Sequence, residues 1–249
     1  MTVRSKLPVL LPVAAGATLA TWPFVEPYLP VLRRASVPVL PPGSEPVRVL
    51  HVSDLHLLPR SRRRAAWVRD LARLRPSLVV STGDHWSSAR AADLLVETLS
   101  ALTADGALGV FVPGNNDYYS PIRPSPLAYL RGGPVTARAP DLPWRALAAA
   151  LSQAGWLDLT HVRAPHAVGG RDVVLAGHTH GGQLRLPGAG PVVTNCDLPR
   201  WRARGLTRDA DTWLNVSAGL GTSPYLPVRF ACRPEATLLE LVPGPRQPT

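Results

Sequence analysis

Cysteine is nearly missing from this chain. Cys196 and Cys232 are the only two in 249 residues, and their spacing matches no zinc or redox motif, so a thiolate metal centre is excluded. A chain this long buries a core without staples, so two buried free thiols are expected, and neither a disulfide nor a redox compartment follows. Lysine is scarcer still: Lys6 stands alone, and arginine carries the net charge of +10. A genome-wide codon bias produces an arginine-, proline- and glycine-rich composition as readily as a polyanionic partner does, so charge alone assigns no function. Internal repeats are absent, as are basic segments interleaved with aromatics, and nucleic acid is not an expected partner.

The first residues differ in kind from the rest. Arg4 and Lys6 precede an uncharged stretch from Leu7 to Val25, about long enough to cross a bilayer, although Pro8, Pro12 and Pro23 interrupt it as a helix. A signal segment with a small-residue site at Ala15-Gly16-Ala17 and an uncut anchor both fit. The length and the aromatics Trp22, Phe24 and Tyr28 favour the anchor. Residues 1–30 are therefore expected to attach the protein to a membrane. Arg33 and Arg34 offset the charges ahead of the segment, which leaves the side of the membrane open. Residues 31–46, proline-rich from Val37 to Pro46, read as a stiff linker into a catalytic domain over 47–249.

Four short apolar runs in that domain, Val47 to Val52, Leu78 to Val80, Leu108 to Val112 and Val173 to Ala176, read as buried strands. Each leads into a polar cluster: Asp54-Leu55-His56, Gly83-Asp84, Gly114-Asn115-Asn116-Asp117 and Gly177-His178-Thr179-His180. Helices are expected over Arg63 to Leu74, Ala89 to Ala104 and Trp144 to Ala154, stopped by Pro76, Gly106 and Gly155, which gives an α/β rhythm with parallel pairing. Thr212 to Ser217 and Ala236 to Leu241 look like strands of a second sheet. Tyr118 to Pro143 is the longest irregular stretch, of the kind that shapes access to a site.

Open α/β sheets bind ligands beyond the carboxyl ends of their strands, so the four clusters are expected to converge on one crevice. Asp54 and His56, two apart at a strand end, project to the same side, and His178 and His180 repeat that spacing. Asp84 offers two oxygens that can bridge two cations, and Asn115 a neutral carbonyl oxygen. Carboxylates with imidazoles suit divalent first-row metals, and a pair of such ions orients a phosphate for in-line attack. Arg60, Arg62, Arg63 and Arg64 follow the first cluster closely. They either attract an anionic substrate or lipid headgroup, or form a solvated helix start.

In this order the clusters resemble the signature of the calcineurin-like metallophosphoesterase superfamily: Asp-x-His, Gly-Asp, Gly-Asn-His-Asp or Glu, a separate His, then Gly-His-x-His. The likeness continues through Gly181-Gly182-Gln183. Gly219-Leu220-Gly221-Thr222-Ser223 with Pro227, Val228 and Arg229 resembles the carboxyl end of the membrane-associated bacterial branch. The resemblance implies a four-layer sandwich of two mixed β-sheets flanked by helices, at a bacterial cell membrane. It implies a phosphoesterase, above all a phosphodiesterase, using a metal-held hydroxide on a phosphate-containing small molecule or lipid headgroup. Two divalent ions, Mn, Fe, Zn or similar, would serve it. Asp54, His56, Asp84 and His180 would surround the first, and Asp84 would bridge to a second held by Asn115 and His178.

Two departures qualify this. Asn116 stands where the family has a His that stabilises or protonates the leaving oxygen; an amide donates a hydrogen bond but no proton. Asp84 and Asn116 are thus the catalytic candidates, with His85 read as an exposed loop residue. The family's separate metal-binding His also lacks a clear counterpart. Between His161 and Gly177 the chain has Pro165, Gly169, Gly170 and one short apolar run, too little for a parallel crossover, so an internal shortening is inferred. His161, ending a strand-like Leu157 to Thr160, and His166 are the local stand-ins. The second metal is expected to bind more weakly than the first, and a degenerate member that binds metal or phosphate without turnover is the alternative.

Overall fold

A computed structural model describes residues 20–121, 139–162, 172–194 and 196–244. Its main sheet runs through β2 (Val47–Val52), β3 (Leu78–Ser81), β4 (Leu108–Phe111) and β5 (Trp156–Asp158), side by side and parallel. Helices Arg62–Arg69, Ala92–Thr103 and Trp144–Gln153 connect them. Leu95, Leu99, Leu147 and Leu151 from these helices pack with Leu50, Val79 and Trp156 of the sheet. The first helix is shorter than its apolar period suggests. From Asp70 to Leu74 it tightens into a 3-10 turn and ends on Arg75 in the left-handed region, because the residue before a proline is disfavoured in the helical region.

Beyond β2 the sheet continues with β11 (Glu235–Pro243), antiparallel to β2, and β1 (Val31–Leu40), parallel to β11. Two expectations change here. The strand over Ala236 to Leu241 belongs to this first sheet, not the second. Residues 235–239 are all buried, and since successive side chains face opposite ways, both faces of that strand are covered. Residues 31–40 are likewise a strand of the domain, with Val37, Val39 and Leu40 buried, and not linker. Pro38 is tolerated because β1 lies at the sheet edge, where a missing N–H costs no ladder bond. The folded domain begins earlier still: buried Glu26 accepts the N–H groups of Ala231 and Cys232 at 2.9 and 2.5 Å. Most of the Leu7 to Val25 run lies outside the described residues. Residues 20–25 are helical, and no helix among the described residues is long and apolar enough to cross a membrane.

The second sheet contains β6 (Val173–Ala176), β9 (Gly205–Asp209) and β10 (Thr212–Val216), with β10 parallel to β6 and antiparallel to β9. A small ribbon of β7 (Arg185–Leu186) and β8 (Gly190–Pro191) lies between them in the chain. Val173, Leu175, Leu206 and Trp213 pack against Val37, Val39, Val49 and Leu239, so two mixed sheets face each other. After β6 the described residues contain 3-10 turns but no α-helix. The described layers are therefore helix, sheet and sheet, without the outer helical layer of the expected four. β5 and β6 belong to different sheets, so no crossover within one sheet is required of the chain that joins them.

Candidate metal centre

The loops after β2, β3, β6 and β10 meet at one rim of the sandwich. Asp54, His56, Asp84 and His180 come together there, all buried, with one ligand-type atom of each within 4.8 Å of the others. His56 Nε2 lies 3.5 Å from the Asp84 carboxylate and 3.3 Å from His180 Nε2, and His180 Nε2 lies 3.7 Å from Asp54 Oδ1. All four residues have positive φ, between 43° and 53°. A non-glycine backbone takes that conformation at a cost, and only where its surroundings impose it.

The surroundings do so through backbone bonds between the loops. Asp54 N–H donates to Gly83, His56 N–H to Asp84, and Leu220 and Gly221 donate to Ser53 and Asp54. These approaches leave no room for side chains at two turns. A Cβ on Gly83 (φ +89°) would stand 2.7 Å from the Cα of Gly114, and one on Gly219 (φ +70°) 2.6 Å from the Cβ of Asp54. The loop from Ala218 to Gly221 is held from beneath by the fully buried guanidinium of Arg229, which donates to the carbonyls of Ala218, Gly219, Gly221 and Cys232.

A second support reaches Asp54 from both sheets. Asn215 of β10 donates to His51 Nδ1 at 2.8 Å and His51 Nε2 meets Thr82 Oγ1 at 2.8 Å. Thr82 donates to Ser53 at 2.8 Å, and Ser53 to Asp54 Oδ2 at 2.7 Å. With Asn215 donating to Nδ1, the His51 proton is assigned to Nε2. Burial lowers the His51 pKa to about 4, so the ring is neutral. Burial and the neighbouring Asp84 raise the Asp54 carboxyl to about 7, against the opposing bonds from Ser53 and His178 N–H. Burial likewise lowers His56 and His180. Two crowded carboxylates and two neutral imidazoles, buried on a common centre, are a donor set that suits a divalent cation.

The other candidates stand around this group. His178 and Asn115 are exposed, and His178 is not among its four residues, while Asn115 Oδ1 lies 3.4 Å from the side-chain amide of Asn116, which is itself bonded to Asp84. His178 contributes its backbone N–H to Asp54 at 3.1 Å. The two-residue period fails at His178 and His180 because the chain there turns into a 3-10 segment, His180–Gly182, and does not continue as a strand. His161, past the end of β5, is exposed and outside the group; His166 lies outside the described residues. Asn116 is buried beside Asp84. Its backbone N–H and side-chain amide donate to the two Asp84 oxygens at 2.9 and 2.8 Å, so the amide is engaged with that carboxylate. His85 is buried, not exposed, and bonds Asp117 at 2.8 Å and Ser81 at 2.9 Å. Burial opposes charge on both partners, yet their contact raises His85 and lowers Asp117, making an ionic pair. Neither this pair nor the His51 chain was anticipated. The one available signal was a histidine inside the otherwise apolar end of β2. Cys196 and Cys232 are free thiols, and only Cys232 is buried.

A family model described as calcineurin-like phosphoesterase matches residues 47–182, from the start of β2 through the last histidine cluster. The uncharacterized metallophosphoesterase YkuE of Bacillus subtilis (strain 168) is 40% identical over 67 residues, 27% of this chain and 23% of the relative. Phosphodiesterase YaeI of Escherichia coli (strain K12) is 42% identical over 71 residues, 28% of this chain and 25% of the relative. The match thus spans about a quarter of each of these two relatives. The uncharacterized protein YpbG of Bacillus subtilis (strain 168) is 26% identical over 233 residues, 80% of this chain and 82% of the relative.

Proposed function

The chain belongs to the calcineurin-like phosphoesterase family, and from that premise we propose that it is a metal-dependent phosphoester hydrolase acting on phosphodiesters. The convergence of buried Asp54, His56, Asp84 and His180 carries this reading. A divalent cation held by these four would supply Lewis acidity toward a phosphoryl oxygen and activate water for attack. The chain's own part is orientation. Asn116 fixes both oxygens of Asp84, and Ser87 Oγ, 3.1 Å from His56 Nδ1, lets the other ring nitrogen face the centre. Arg64 donates to the carbonyl of Leu55 and so pins the loop that carries His56. Asn116 thereby acts as a positioning residue and supplies no proton to a leaving oxygen, so diesters with good leaving groups should react best.

Diesters are chosen over monoesters because the Escherichia coli relative is called a phosphodiesterase. The reading includes a weaker second cation near Asp84, Asn115 and His178, and the exposure of the last two side chains accords with weak binding. It also includes a membrane tether formed by the charge-free run from Leu7 to Val25, with the substrate a phosphate-bearing small molecule or lipid headgroup.

Hydrolysis of bis-p-nitrophenyl phosphate with Mn²⁺ tests the central point. Release of p-nitrophenolate is expected from the parent and only background from Asp84→Ala. Metal binding without turnover would favour the second reading, a member that binds and does not catalyse, for which the engaged amide of Asn116 speaks.

A further inference from the structure

A groove of about 680 Å³ runs from the Asp/His centre toward the N-terminal segment of the domain. His56 and its partner Ser87 line it, so the groove and the centre share the His56 side. Much of its lining is apolar, with Tyr28, Leu29, Leu58, Trp67 and Leu220 among the residues that form it. Arg60 and Arg63, both exposed at the start of the Arg62–Arg69 helix, also line it. A phosphoryl group with two small substituents would use the centre alone. The groove offers what such a ligand cannot fill, namely guanidinium donors for a second anionic or polar contact and an apolar trough beyond them.

Tyr28 is 61% exposed, and Trp22, Phe24 and Val25 just upstream in the chain are 38%, 63% and 45% exposed. Exposed apolar side chains therefore accompany the segment that forms one wall. Resting on the phosphoesterase reading above, we propose that the substrate is an amphiphilic phosphoester, its phosphoryl group at the Asp/His centre and an apolar chain laid in this groove. Continuity with the centre and the arginines along the path of the anion commit the trough to a substituent of the bound phosphoester.

Titration calorimetry with methylphosphonate and octylphosphonate, in the presence of Mn²⁺, tests this alongside bis-p-nitrophenyl phosphate turnover. Each buried methylene can tighten binding up to about fourfold, so octylphosphonate is expected to bind at least about tenfold more tightly than methylphosphonate. Tyr28→Ser should cut that ratio about threefold or more. Equal affinities overturn the proposal whether or not turnover is seen, and are the result expected if residues 1–19 of the chain cover the groove. A preference for the octyl compound that Tyr28→Ser leaves unchanged also overturns it, since the chain then binds elsewhere. A Tyr28-dependent octyl preference without hydrolysis of bis-p-nitrophenyl phosphate sinks the phosphoesterase reading and leaves the apolar subsite standing.

Discussion

At Asp54 the backbone turns left-handed, with φ 49°, while Ser53 and the N–H of His178 hold the carboxylate. Behind Ser53 stand Thr82, His51 and Asn215, none of which reaches the centre. His51 gives this support a measurable signature. Its folded pKa of about 4 lies below the unfolded value of 6.5, so between those limits the unfolded chain binds the proton and the folded one does not. Stability from this group is complete above pH 6.5 and falls on acidification toward pH 4, by about 3 kcal/mol at roughly 1.4 kcal/mol per pH unit. Urea unfolding of the parent and His51→Asn across this range should show that slope in their difference. A flat difference would mean that His51 titrates alike in both states. The same scale explains why the two histidines part. His180 enters the cluster and His178 does not, because both stand in the left-handed region, at φ 50° and 73°, and a 3-10 segment opens at His180, so the strand period on which the spacing argument relied is lost.

At the scale of elements, the four apolar runs and the stops at Pro76, Gly106 and Gly155 were legible because they express local periodicity and local backbone preference. β1 was not. Its proline, the prolines that follow it and its exposed arginines look like linker, and only the neighbouring β11 turns Val37 and Val39 into core. A protein shortened to begin at residue 47 should therefore lose its cooperative thermal transition, since it lacks an edge strand and the Glu26 contacts to Ala231 and Cys232. Circular dichroism melts decide this: a melting temperature within a few degrees of the parent would restore the linker interpretation. β11 was missed for a related reason. An apolar strand can join either sheet, and it is the pairing with β2, Thr237 opposite His51 and Leu239 opposite Val49, that assigns it to the first.

For the whole molecule, the centre ties the two sheets together: Asp54 and His56 follow β2, Asp84 follows β3, and His180 follows β6 of the second sheet. A cation there would be a cross-link between sheets as well as a reactant. At a hundredfold excess over its Kd it would add about 2.7 kcal/mol of stability, or roughly 5–10 °C in Tm for a chain of this size. Scanning calorimetry should show that rise with Mn²⁺ for the parent, its reversal by a chelator, and little response from Asp54→Ala or His180→Ala. Equal responses in all three would place the cation elsewhere.

By itself the sequence determined the chemistry available at each strand end, because the strand, its polar terminus and the following turn are set by a few adjacent residues. Only the tertiary structure decided which of those groups meet, which histidines are buried among them, and that a groove opens beside them. Residues as distant in the chain as Asp54 and His180 come within reach of one another through sheet pairing and the packing of one sheet on the other, which no local pattern encodes.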